Sequence, residues 1–164
     1  MTDAREVLAD VAGIGPAFAV SVDPAEEIDG TWRPVADLLA DTALLTTHVL
    51  RTKVLLGAGE DRVAASWLYA TLAARLVAPV LAAAALHDVF VHPYDLRWRP
   101  WGGGVVPLWA PDPRGRPADV EAVHSAIVEP LGVLAGSLRA GACTYVENVG
   151  AMRPRRVVSR MKRR

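Results

Sequence analysis

Apolar residues recur every three to four positions over most of the chain, the period of helices that bury one face. Ala4 to Ala12 carries a short helical pattern that stops at the breaker cluster Gly13-Ile14-Gly15-Pro16. Phe18-Ala19-Val20-Ser21-Val22 alternates instead, up to Asp23-Pro24, which predicts a strand or an extended segment laid on the helices. Asp23 to Gly30 reads as a polar loop. Pro34 suits the first turn of a helix over Val35 to Leu39. The pattern pauses at Asp41-Thr42, then continues through Leu44, Leu45, His48, Leu50 and Val54 to Leu56, and Gly57-Ala58-Gly59 ends it.

Asp61 is the expected N-cap of the next helix, which carries Val63, Trp67, Leu72 and Val77 to Leu86. Pro79 cannot donate to the helical ladder and is expected to kink or divide it. From His92-Pro93 the pattern shortens. Leu96 to Pro100 and Val105 to Trp109 flank Gly102-Gly103-Gly104 and predict a β-hairpin whose second strand, with Pro107, lies at an edge. Asp112 to Pro117 is a connector; a helix follows from Ala118-Asp119 through Val123, His124 and Ile127. Pro130 is expected to interrupt it before Leu131 to Leu138 resumes, and Cys143 to Met152 starts one more helix. The fold class expected is mainly α with a small β-hairpin (α+β), one domain over residues 1–152 and a basic tail over 153–164.

A chain of 164 residues is short for two domains, and 52% hydrophobic with 22% charged residues excludes wholesale disorder. Of 18 basic side chains, seven fall in the last twelve residues; the other 11 face 18 acidic ones, so residues 1–152 carry −7 and the tail +7. An acidic body is not that of a specific nucleic-acid binder. The chain has two lysines, three isoleucines, one asparagine and no glutamine, the usage of a GC-rich genome. Three readings of the tail stay open: a solvated disordered extension, shifted-frame sequence, or a selected phosphate- or membrane-binding segment. Acidic residues at the N-terminus argue against a secretory signal. Val63 to Phe90 is long enough for a membrane span, but Arg75 at its middle would cost about 2.5–3.5 kcal/mol at bilayer depth. Two buried helices, no transmembrane segment and a cytoplasmic protein are expected.

Candidate chemistry is sparse. Cys143 is the only cysteine, so one chain can form neither an internal disulfide nor a multi-cysteine metal site. His87 and His92 are five apart, a poor spacing for two ligands on one helical face; they read as half-buried helix-end groups bonded to carbonyls, and His48 and His124 as core-edge residues. Arg75 interrupts an apolar run and must snorkel, pair with a carboxylate, or face an anionic ligand, the structural pairing being preferred. The triple glycine lacks the Lys-Ser/Thr of a phosphate loop and reads as a turn. Arg97, Trp98, Arg99, Trp101 and Trp109 place indoles beside guanidinium groups, suited to hairpin packing or to an anionic, partly aromatic or metal-chelating ligand.

Several stretches in order resemble the FhuF-like ferric-siderophore reductases of actinobacteria. These are Val11 to Phe18, Trp32-Arg33-Pro34, Arg62 to Ser66, Ala73 to Leu81, Leu86-His87, Leu96-Arg97-Trp98 and Val106 to Trp109. Tyr145 to Met152 is similar to the family's Trp-Gly-Asn region, with Glu147 where glycine is usual. The resemblance implies a mainly helical fold with a small hairpin. Family members then carry a Cys-Cys pair and a Cys-x-x-Cys whose thiolates hold a [2Fe–2S] cluster. This sequence has no such region, and Cys143 matches none of its positions, so no cofactor is expected in this chain.

The resemblance therefore implies a siderophore- or iron-chelate-binding protein without its own electron-transfer cluster, with Arg75, His87, Trp98 and Arg99 as ligand-binding candidates and no metal ligands. Candidate partners are a ferric siderophore or similar chelate, and a second copy or another protein covering an incomplete core. Two alternatives stay open: a non-enzymatic helical interaction module with a basic tail, and a truncated gene product without independent activity.

Overall fold

The structure, a computed structural model, describes residues 3–101 and 105–151, the side chains of 27–29 and 142–151 excepted. The glycine turn, Cys143 and the side chains of Tyr145 to Met152, and the basic tail thus lie outside the described residues.

Helix α1 (Ala4–Ala12) starts where the Asp3 carboxylate accepts the Arg5 amide at 3.0 Å and buries Ala4, Val7, Leu8 and Val11. Those positions fall on one face at helical spacing. Helix α2 (Val35–Ala40) buries Val35, Leu38 and Leu39; the Asp41 side chain then accepts the Leu44 amide at 2.9 Å and restarts the chain as α3 (Thr42–Leu56). The pause expected at Asp41-Thr42 is this cap. Gly57, at φ 60°, ends α3 in the left-handed conformation that glycine adopts without steric cost.

Helix α4 (Asp61–His87) is the central element and packs on α1, α3 and the last helix. Glu60 occupies the N-cap position expected of Asp61, which instead pairs with Lys53 of α3 at 2.6 Å across the helix turn. Pro79 does not divide α4: the helix runs 27 residues through it. A proline removes one backbone bond, and the packing of Leu68, Leu72, Leu76 and Val80 along the same buried face holds the helix together on both sides of the gap. By length and composition alone α4 could cross a membrane; 39% of its most apolar window is buried inside this fold. It ends on Asp88, a non-glycine residue at φ 55°.

Helix α5 (Val120–Ala151) begins over Asp119, whose carboxylate accepts the Ala122 amide at 2.9 Å. Pro130 does not interrupt it, and no separate helix begins at Cys143; one 32-residue helix runs through all three expected pieces. The reason matches that at Pro79, since Ala126, Pro130, Leu134 and Leu138 recur at i+4 and stay buried along one stripe. Val80, Phe90, Ala126 and Val123 meet where the end of α4 lies beside the start of α5, so the two helices run antiparallel.

The strands are two residues each. In β1 (Arg33–Pro34), β3 (Arg97–Trp98) and β4 (Leu108–Trp109) the order is β1-β3-β4, antiparallel, with Arg33 opposite Trp98 and Trp98 opposite Leu108. The predicted hairpin is β3-β4. A second pair joins β2 (Val89–Phe90) to β5 (Arg116–Pro117), within the segment expected to be a plain connector. The alternating segment before Asp23 touches the sheet at one residue: Ser21 forms a parallel bridge to Trp109, donating to Leu108 at 2.9 Å and accepting from Ala110 at 2.8 Å. The result is a mainly helical α+β fold, as expected.

Candidate functional site

Arg75 lies at the middle of α4 with 5% of its surface exposed. It neither snorkels nor meets a carboxylate, contrary to the pairing preferred from sequence. Its Nε donates to the Val106 carbonyl at 2.8 Å, one terminal nitrogen to Ala17 at 3.0 Å, and the other to Ala19. The guanidinium's fixed fork suits this geometry. Three carbonyls in irregular segments, otherwise without donors among the described residues, are satisfied by one side chain. Burial lowers the Arg75 pKa to about 10, which leaves it charged at neutral pH.

A second arginine fastens the same segment. Arg5 of α1 donates to the Val22 carbonyl at 2.7 Å and to the Pro111 carbonyl at 2.6 Å. Residues 17–22 are thus held by two arginines and the Ser21 bridge rather than by a sheet of their own.

The segment so held forms one wall of an open cleft of about 440 Å³, lined by Ser21, Glu26, Trp32, Arg75, Arg99 and Val105 to Leu108 among others. Strand alternation explains Arg99: with Trp98 pointing into the core, its neighbours Arg97 and Arg99 point outward. The Arg99 guanidinium sits 4.8 Å from the centroid of the Trp32 ring and 3.3 Å from the Glu26 carboxylate. Trp32 in turn lies 5.5 Å from Trp109, whose indole donates to the Asp23 carbonyl at 3.0 Å. The Trp32 indole N–H is buried and has no acceptor among the described residues.

Two of the four expected site residues, Arg75 and Arg99, share this cleft. The other two do not. Trp98 is 1% exposed in the core, edge-on to Trp101 at 6.0 Å. His87 lies at the end of α4, where its Nε2 approaches the Asp10 carboxylate of α1 to 2.9 Å, within ion-pair distance but without hydrogen-bond alignment. The expectation that His87 and His92 bond carbonyls is not met. His92 caps a short turn by accepting the Tyr94 amide at 3.1 Å. His124 is exposed on α5 rather than at the core edge.

His48 is half-buried and stacks on Trp101 at 4.0 Å with 5° between the rings. Burial, then the charge of Arg51, lowers its pKa below the ordinary value. Sequence reasoning missed Glu26 and Trp32 as cleft residues. Their signal was weak: a tryptophan before Arg-Pro and an acid in a polar loop, 65 or more positions from Arg99 in the chain, with nothing local to pair them.

No group of three or more His, Cys, Asp or Glu stands close enough to share a metal ion among the described residues. No family model, curated protein or solved structure matches this chain.

Proposed function

We propose that this protein binds an anionic iron chelate of the siderophore kind in the Arg99 cleft, as a relative of the ferric-siderophore reductases without an electron-transfer cluster of its own. The observation that carries the reading is the Arg99 guanidinium, held over the Trp32 ring at the mouth of a cleft with Arg75 in its wall. A flat cation on an indole offers two things to an aromatic chelate: charge for its oxygens and a face for its rings. Glu26 already occupies part of that cation, so a ligand must compete with a carboxylate at 3.3 Å. A multiply charged chelate can do so; a neutral one gains much less. The [2Fe–2S] cluster of the resembled family needs four thiolates, and this sequence has one cysteine.

Titration with a ferric tricatecholate, which carries net negative charge, and with a neutral ferric trihydroxamate tests this, read by tryptophan emission corrected for ligand absorption. Saturable quenching by the tricatecholate is expected, with weaker binding of the trihydroxamate. Arg99→Gln is expected to weaken the tricatecholate about tenfold, the loss of one charge-assisted hydrogen bond of roughly 1.5 kcal/mol. No saturable change at millimolar ligand ends the reading.

A second reading rests on a different surface. Val54, Leu55, Val63 and Trp67, at the junction of α3 and α4, are 80%, 71%, 51% and 49% exposed. Such a patch fits an interaction module that docks on a second copy or another protein. Sedimentation at micromolar concentration, with Leu55→Lys as the perturbed variant, decides whether it self-associates.

A further inference from the structure

A second cleft, of about 450 Å³, opens where the first half of α4 faces the second half of α5. It shares no residue with the Arg99 cleft. Its size falls within the range of small-molecule sites, roughly 300–1,000 Å³. Leu138 and Ala135 of α5 form an apolar floor; Arg62, Ser66 and Tyr69 of α4 and Arg139 of α5 supply the polar groups. The α4 residues stand four and three positions apart, which puts them on one helical face.

Every one of those four side chains can donate a hydrogen bond, and none of the lining residues among those described is a carboxylate. The Ser66 and Tyr69 hydroxyls and the Arg139 guanidinium make no hydrogen bond or ion pair among the described residues. Arg62 is 2.5 Å from Glu60, but the two side chains are 82% and 61% exposed. A pair so open to water holds its partner weakly and can exchange it. The two guanidinium groups beside an apolar floor repel cations, and a purely apolar guest would leave the polar groups unused. They match a molecule with an oxyanion at one end and hydrocarbon at the other.

We propose that this cleft binds a small amphipathic anion, a carboxylate or phosphate head on a single apolar chain. Arg139 and Arg62 take the head from opposite helices, the hydroxyls of Ser66 and Tyr69 complete its shell, and the chain lies on Leu138 and Ala135.

Calorimetric titration of the full chain tests it with four probes below their self-association concentrations: decyl phosphate, decanoate, decanol and inorganic phosphate. Saturable binding of at least one anionic amphiphile is expected, tenfold or more tighter than decanol and inorganic phosphate, and the tighter head names the preferred anion. Arg139→Glu reverses an exposed charge that has no bond to lose and is expected to weaken that binding at least tenfold. Arg62→Gln carries the same test should the first variant fail to fold, and Arg99→Gln is expected to leave this affinity unchanged whatever it does to the other cleft. Decanol or inorganic phosphate binding as tightly as the amphiphiles, an unaffected Arg139→Glu, or no saturable binding overturns the proposal. Co-sedimentation with phosphatidylglycerol vesicles that survives Arg139→Glu would assign the affinity to a membrane surface and overturn it as well.

Discussion

Two glycines of α5 should respond oppositely to the same substitution. Gly136 and Gly141 both lie inside the helix, so alanine at either gains about 0.5–1 kcal/mol of backbone preference. A methyl group added at Gly136 meets nothing within 4 Å. At Gly141 it would lie 2.3 Å from the Thr46 hydroxyl oxygen and 3.3 Å from the Thr42 methyl. Thr46 is not free to swing away at no cost, because its hydroxyl donates to the Thr42 carbonyl at 2.7 Å. Rotating it loses a bond of about 1 kcal/mol. Keeping it forces α3 and α5 apart, with overpacking costs of roughly 1–3 kcal/mol. Gly136→Ala is therefore expected to raise the melting temperature by about 1–4 °C and Gly141→Ala to lower it by a similar amount.

Thermal melts followed by circular dichroism at 222 nm give the comparison directly. A third variant locates the cause. Thr46→Ala removes the obstructing oxygen, so Gly141→Ala placed in that background should recover, with a coupling of about 0.5–3 kcal/mol typical of residues in contact. If Gly136→Ala and Gly141→Ala shift the melt in the same direction and by equal amounts, α5 does not pass Thr46 at that depth and the helix arrangement is wrong.

Arg75→Met keeps the bulk but strips one buried and two part-buried carbonyls of their donor, and should cost about 2–3 kcal/mol in chemical denaturation, whereas a cost under 1 kcal/mol would mean water replaces it. His48 has a pKa below its ordinary value of about 6.5 because of burial and then Arg51. The unfolded chain therefore takes up the proton first on acidification. Its contribution to stability is complete above about pH 6.5 and is lost as pH falls through the folded value. His48→Phe should flatten the denaturation midpoint between pH 7.5 and 5.5 relative to the parent, and an identical slope would refute the assignment. Asp88 holds a left-handed conformation at φ 55°, so Asp88→Gly should stabilise by roughly 1 kcal/mol in the same assay, and a loss of stability would show that its side chain contributes more than its backbone costs.

The helices were legible because their caps and stripes are local. Asp41-Thr42 marks a pause and Gly57 a stop within a turn, and Val7, Leu8 and Val11 repeat within eleven residues of the start. The two prolines misled for the opposite reason. Whether Pro79 or Pro130 breaks a helix depends on packing from other elements, which hold each side of the missing bond in line. The β2-β5 pair was invisible because two-residue strands carry no period. Of the candidate site, Arg75 and Arg99 stood out as charges among apolar and aromatic residues. Their actual partners, the carbonyls of Ala17, Ala19 and Val106 and the ring of Trp32, leave no trace in residue type. A carbonyl belongs to every residue, and only folding decides which one lies unpaired.

The arginine at the centre of α4 also settles how stiff its cleft can be. Ala17 and Ala19 belong to one side of the opening and Val106 to the other, and the same planar group grips both. Neither side can swing outward alone without stranding the other's grip, so amide-exchange protection along 17–22 and 106–110 should rise and fall together. A guest of the kind proposed would find its receptor already set, the disorder of those stretches having been surrendered when the chain first collapsed.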